Sequence, residues 1–371
     1  MFKKLSERTQ GFIVNTVALT LISVVFCVLS ANGYFKASTA TILWNCCIFI
    51  LLTTSLNITM GGLGQLALGH CGFMAVGAYA SVYAVKAFTT AGLLLGDDGL
   101  TLAVKIAIAL LAGAAAASVM GIIVGFPAMR VSGDYLAIIT LGFNMIVLSI
   151  IYVIPGTLSG NLAQDENPIA FTKDQKISLV GFAVILTIIC VMLIFLFFRS
   201  KYGRAIKAIN NDAIAAEASG INTSYYKILT FAFSSMFAGI AGAMSAFITG
   251  NLNPANFQFS STGIQNSIFI VVLVVFGGVG SITGSVFTGG VMYILNDYIA
   301  DMGQKLHGAP DIIKNLFMYP MLVYALVLII VIIFRPKGVF GRAEFSLIKT
   351  IKATPRFFKR LFSKKSKKEE N

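Results

Sequence analysis

The chain has 371 residues, 57% of them hydrophobic and 12% charged, with a mean hydropathy of +0.85. That mixture excludes an ordinary soluble domain and places the bulk of the chain in lipid. The formal net charge of +13 does not point to nucleic acid, because 12 Lys and Arg lie from Arg335 onward, in a tail ending with Lys364, Lys365, Lys367 and Lys368 that suits contact with anionic lipids.

Hydrocarbon about 30 Å thick needs roughly 20 apolar residues per helical crossing, and such stretches recur along nearly the whole chain. The pattern predicts an all-α, polytopic membrane helix bundle of about ten transmembrane helices, at 12–30, 39–58, 66–88, 101–125, 135–154, 177–198, 226–249, 264–281, 283–300 and 314–334. These spans make one permease-sized domain, 12–334, between a short N-terminal segment, 1–11, and the basic tail, 335–371. A barrel is disfavoured because the apolar runs are long and unbroken rather than short and alternating. The first run follows Lys3, Lys4 and Arg8 but is too long for a signal core, and Phe26 to Leu29 offer no small-residue cleavage site, so it reads as a retained helix. The five cysteines, Cys27, Cys46, Cys47, Cys71 and Cys190, fall inside apolar spans without metal-ligand spacing and read as small packing residues.

With ten spans, both ends face the same side. The segments on that side hold 21 of the 28 Lys and Arg, and the opposite loops hold five, Lys36, Lys173, Lys176, Lys305 and Lys314. The positive-inside rule then puts both termini, and the loop at 199–225, in the cytoplasm.

Ion-coupled transporters keep ionisable groups at membrane depth despite a cost of at least roughly 2.5–3.5 kcal/mol each. Here no carboxylate falls near the middle of a span: Asp134, Asp297 and Asp301 sit at predicted ends, and Lys86 and Lys105 can snorkel outward. Asn57, Gln65, His70, Asn144, Gln265 and Asn266 are the mostly uncharged polar residues left inside, and they are the candidates for lining a translocation pathway. His70, between Gly69 and Gly72, reads first as a helix-packing donor. The chain has no Gly-Lys dipeptide, hence no phosphate-cradling G-x-x-x-x-G-K-[ST] loop, and neither a G-x-S-x-G elbow nor an H-E-x-x-H helix. It is not expected to be an enzyme or to bind a cofactor of its own.

The segment Tyr202 to Asn222, YGRAIKAINNDAIAAEASGIN, is too polar to span and too regular for a random loop. Asn211 is the expected N-cap of a short helix at 212–219 that stops at Gly220, and Arg204 to Ile209 form a separate helical turn ahead of it. The pair makes a cytoplasmic foot. Its alanines, Ala213, Ala215, Ala216 and Ala218, keep it slender enough to enter a groove on a partner, with Glu217 free for a charged contact. Ile206, Ile209 and Ile214 give too small an apolar face for strong membrane binding.

Gly203 to Ile221 resembles the EAA-type coupling loop of ABC importer permeases, in the form carried by the LivM-type branched-chain amino acid permeases. Further motifs are similar to that family's in the expected order: GGLGQLALGHCGFMAVGAY within Asn57–Tyr79, GDYLAIITLGF at Gly133–Phe143, FGGVGSITG at Phe276–Gly284 and FRPKGVFG at Phe334–Gly341. The chain departs from it where relatives read G-F-G-E and this one has Gly142, Phe143, Asn144 and Met145, and at Ser285, where proline is frequent. The resemblance implies a type II ABC importer permease. It also implies two ATP-binding cassette subunits that hold the ATP, a homologous second permease, and an extracytoplasmic substrate-binding protein. It assigns Gly203, Arg204, Ala215, Ala216, Glu217 and Gly220 to ATPase coupling. A urea or short-amide importer is the alternative within this group; a passive channel or secondary transporter is the alternative outside it.

Gly113, Ala117, Gly121 and Gly125 recur every four residues and predict a tight helix contact on one face of the fourth span. The segments Gly61–Tyr79 and Gly277–Tyr293 echo each other as GGLG and GGVG. Either the echo is coincidental packing chemistry, or the third or eighth span is broken or re-entrant.

Overall fold

The computed structural model describes residues 37–92, 99–131, 134–153, 167–258 and 267–305, with Ile329, Ile333, Phe334, Gly338 and Gly341 beyond them. The predicted first span lies outside these residues, as does the tenth apart from Ile329, Ile333 and Phe334. Within them the helices are α1 Ala37–Asn57, α2 His70–Thr90, α3 Gly99–Arg130, α4 Asp134–Val153, α5 Lys173–Ser178, α6 Val180–Arg199, α7 Lys201–Asn211, α8 Ala213–Ala218, α9 Thr223–Ile248, α10 Ser267–Gly277 and α11 Ile282–Lys305. Six are long and apolar enough to cross a membrane: α1 with its continuation to Leu63, α2, α3, α4, α6 and α9.

Two of the spanning helices form the centre. Nearly all of α1 and α9 is enclosed, whereas α3 and α4 turn Leu111, Val119, Ile122, Ile138, Ile146 and Ile150 outward, as lipid-facing helices do. In α1 the polar residues return their hydroxyl protons to the same helix: Thr53 Oγ1 donates to the Phe49 carbonyl at 2.8 Å, and Thr54 Oγ1 to that of Ile50 at 2.7 Å. That local bonding lets a hydroxyl sit in an apolar interior.

The most extensive packing is α9 against α3, followed by α9 against α2. The glycine series of the fourth predicted span is the seam. A Cβ on Gly239 of α9 would overlap the Gly113 carbonyl oxygen, one on Gly121 would meet the Phe231 carbonyl at 2.8 Å, and one on Gly77 of α2 would overlap the Gly239 backbone. Lipid supplies no hydrophobic force between helices, so the association rests on this close backbone approach.

Two predicted spans differ from the structure, both at glycine-rich breaks. The third begins at His70 rather than 66, because α1 runs on as a π-helix over Ile58–Leu63, ends at the left-handed Gly64, and is followed by a non-helical stretch to Gly69. The described part of the eighth is the helix Ser267–Gly277. It stops at a turn in which Gly278 (φ 108°) and Gly280 (φ 90°) take the left-handed conformation, and the chain re-enters as α11.

The end opposite the foot is closed by the segment Asn167–Ser178. Trp44 Nε1 donates to the Lys176 carbonyl at 3.0 Å, and Phe171 stacks on Phe247 with centroids 5.0 Å apart. Lys176 Nζ donates at 2.8 Å to the carbonyl of Ile248, the last residue of α9, and partial burial lowers its pKa. A cation at the negative end of a helix is well placed.

Gly239→Val will prevent α9 from seating on α3. The expected outcome is loss of folded protein from detergent-solubilised membranes, checked by size-exclusion chromatography against the lipid-facing control Ile146→Val, which will behave as wild type.

Candidate coupling foot and membrane interior

The chain leaves α6 and doubles back as α7 with almost no connector. Ser200 is the hinge, its hydroxyl oxygen accepting from the amides of Tyr202 at 3.2 Å and Gly203 at 3.4 Å. A Cβ at 203 would overlap the backbone of Phe197 and Phe198, so glycine alone allows this corner. The helical turn expected around 204–209 is a full helix of 11 residues, and Asn211 closes it rather than capping the next one. Asp212 is the cap: its backbone is extended (φ −159°), and Oδ1 accepts from the amides of Ile214 at 2.9 Å and Ala215 at 3.0 Å. A carboxylate there also complements the helix dipole. α8 ends at Ala218, and Gly220 follows with φ 82°.

The foot is two-sided. Ile206, Ile209 and Ala216 are buried, while Arg204, Ala213, Ala215, Glu217, Ala218 and Gly220 are exposed. Ile214 is 83% exposed at the tip, a residue that the predicted contact set does not include. Within the foot, the buried and exposed isoleucines are alike in sequence, and only the fold separates them.

From the foot a connected path enters the membrane domain. Ile206 and Phe198 pack against Gly62, and Asn210 Nδ2 donates to the Gly61 carbonyl at 3.4 Å. Gly61 lies directly on Gly280, and Gly338 lies on Gly278, so the motifs GGLG, GGVG and FRPKG meet at one place. Asn57 fastens this junction. Its Nδ2 donates to the Ser281 carbonyl and to Ser285 Oγ, both at 2.9 Å, and its Oδ1 accepts from the Gly280 amide at 2.9 Å. The echo between the two glycine segments is thus a physical contact.

The neutral polar residues of the interior take different positions. Asn57 is buried and fully engaged in the clasp. His70 Nε2 and Ser55 Oγ, 2.7 Å apart, share a buried hydrogen bond that ties α2 to α1. Gln65 is half-buried in the stretch before α2, and its Oε1 has no protein partner. Asn144 is completely buried on α4, and neither its Oδ1 nor its Nδ2 has one. Gln265 and Asn266 lie outside the described residues. The structure therefore joins Asn57 to the foot's path, gives His70 a packing bond, and leaves Gln65 and Asn144 with unused amide atoms. Asn210, which completes the path, carries no sequence signal that separates it from other small polar residues, and Ser285 stands out in the sequence only as a departure from the family's frequent proline.

A model of the family "Branched-chain amino acid transport system / permease component" matches residues 38–333. The chain is 29% identical to the high-affinity branched-chain amino acid transport system permease protein LivM of Escherichia coli (strain K12), over 87% of this chain and 73% of that protein. It is 27% identical to the corresponding permease protein BraD of Pseudomonas aeruginosa, over 52% of this chain and 56% of that one. It is also 27% identical to LivH of Escherichia coli (strain K12), over 43% and 46% respectively. No solved structure matches the chain at a significant level.

Asn57→Leu will remove the bonds to the Gly280 amide, the Ser281 carbonyl and Ser285 Oγ, although the Ser281 carbonyl keeps the Ser285 amide at 3.1 Å. The expected loss is about 0.5–1.5 kcal/mol per bond removed, read as a lower midpoint of thermal unfolding for the purified protein, whereas Ser285→Ala will cost less because the Asn57 bonds to Gly280 and Ser281 remain.

Proposed function

The chain belongs to the family of branched-chain amino acid transport permeases, and we propose that it is the membrane-spanning permease subunit of an importer for leucine, isoleucine and valine, driven by ATP hydrolysis on separate subunits. The observation that carries this reading is the foot: a capped pair of short helices with a buried apolar base and an exposed tip of Ile214 between small alanines. A slender knob of this kind fits a groove on another protein.

In the proposed mechanism, ATP closes two ATPase subunits whose motion is received at Ile214 and Glu217. The displacement passes through α7 to the π-helical end of α1, and from there to the Gly278–Ser281 turn held by Asn57. The bundle then changes the side to which its pathway opens, provided that ATP binds one of the two states more tightly. Likeness to both LivM and LivH supports pairing with a homologous permease subunit, and an extracytoplasmic binding protein delivers the solute. The foot faces the cytoplasm, in line with the basic residues Arg199, Lys201, Arg204, Lys207 and Lys227 at that end. Import of labelled leucine that isoleucine and valine inhibit and urea does not will separate this reading from a urea permease; uptake that persists without ATP hydrolysis will overturn it.

Ile214→Asp removes an apolar contact of roughly 1.5–3 kcal/mol and will weaken copurification of the ATPase subunits about tenfold or more, with membrane insertion unchanged. Glu217→Lys will act in the same direction, and normal copurification and uptake in both variants will refute the docking role.

A further inference from the structure

We propose that Asn144 and the first turn of α2 form a recognition site for the zwitterionic head group of the transported amino acid, an inference that rests on the importer reading above. α2 starts inside the bundle. Its first residue, His70, is bonded to Ser55, which lies eight residues before Leu63, the end of the α1 rod, or about 10 Å from the foot side. The positive end of the α2 dipole is thus held away from water, where it acts most strongly on an anion. The capping residue is Gly69, which has no side chain to offer the first turn, and two of that turn's amides are engaged elsewhere: Cys71 N donates to Ser267 Oγ at 3.2 Å and Gly72 N to the Gly69 carbonyl at 3.0 Å.

Asn144 is the independent observation. It sits against Gly72, the third residue of α2, where a Cβ would lie 2.8 Å from Oδ1. Its amide is wholly buried and both polar atoms lack protein partners, although a buried unpaired amide costs roughly 1–3 kcal/mol. The two vacancies are of opposite kinds, a donor and an acceptor. An α-amino acid presents their complements side by side: its carboxylate accepts from Nδ2 and its ammonium donates to Oδ1, with the α2 dipole adding to the pull on the carboxylate. Phe73 and Phe143, on the same two helices and with centroids 5.6 Å apart, offer an apolar surface for an aliphatic side chain. The site is enclosed as it stands, so the solute reaches it when α2 and α4 separate.

The test uses the full complex, with both permeases, ATPases and binding protein, in proteoliposomes supplied with labelled leucine. Asn144→Leu and the isosteric Asn144→Asp are each first matched to wild type for subunit composition and basal ATP hydrolysis. Uptake is expected to fall at least tenfold in both, the aspartate because it repels the carboxylate without changing volume. A second measurement needs no variant to fold: in wild-type complex loaded with [1-13C]leucine, solid-state NMR is expected to place the carboxylate carbon within about 4 Å of the Asn144 side-chain nitrogen. Normal leucine uptake by Asn144→Leu, or no such coupling in wild type, overturns the site and leaves the importer reading standing. Failure of the wild type to take up leucine overturns both.

Discussion

One amide organises the centre of this protein. Asn57 uses both of its hydrogens and its oxygen on the turn at Gly280–Ser285, and a turn inside a membrane protein needs such a partner because lipid offers its backbone groups none. With the turn fixed, Gly61 and Gly280 can touch, α11 can lie along α1, and the end of α1 acquires a defined position. The foot then has something rigid to bear upon.

The joint between foot and bundle follows the same rule. A helix end leaves carbonyls without partners, and at the end of α1 the Thr59 carbonyl is met by the Gly64 and Gln65 amides while that of Gly61 is met by Asn210 from the foot. The foot is therefore also part of the termination of α1, which couples its position to the bundle by backbone chemistry as well as by the packing of Ile206 on Gly62.

The architecture was legible in the sequence where a single periodicity governs it. Apolar runs located the spanning helices, and the four-residue spacing of Gly113, Ala117, Gly121 and Gly125 located the seam with α9. Legibility failed where glycine decides between continuing and breaking a helix. Hydropathy is blind to that choice: the third predicted span, 66–88, begins as a helix only at His70, after the non-helical stretch that follows Gly64. Asn211 and Asp212 are both good caps, and only the extended backbone at 212 selects the second. Composition gave a list of neutral polar residues at membrane depth, but not their use: Asn57 and Asn144 are the same residue type with the same burial, and one is saturated while the other is bare.

The π-helical end of α1 has a consequence for how this gene can change. Each residue of an α-helix advances the chain by about 100°, so the four-residue spacing of Asn57 and Gly61 keeps both on one face, toward the same neighbour. A codon lost or gained between them would rotate everything downstream by that angle and turn the glycine surface toward the wrong partner. Six residues, five of them buried, thus act like a gear tooth, intolerant of any change in length.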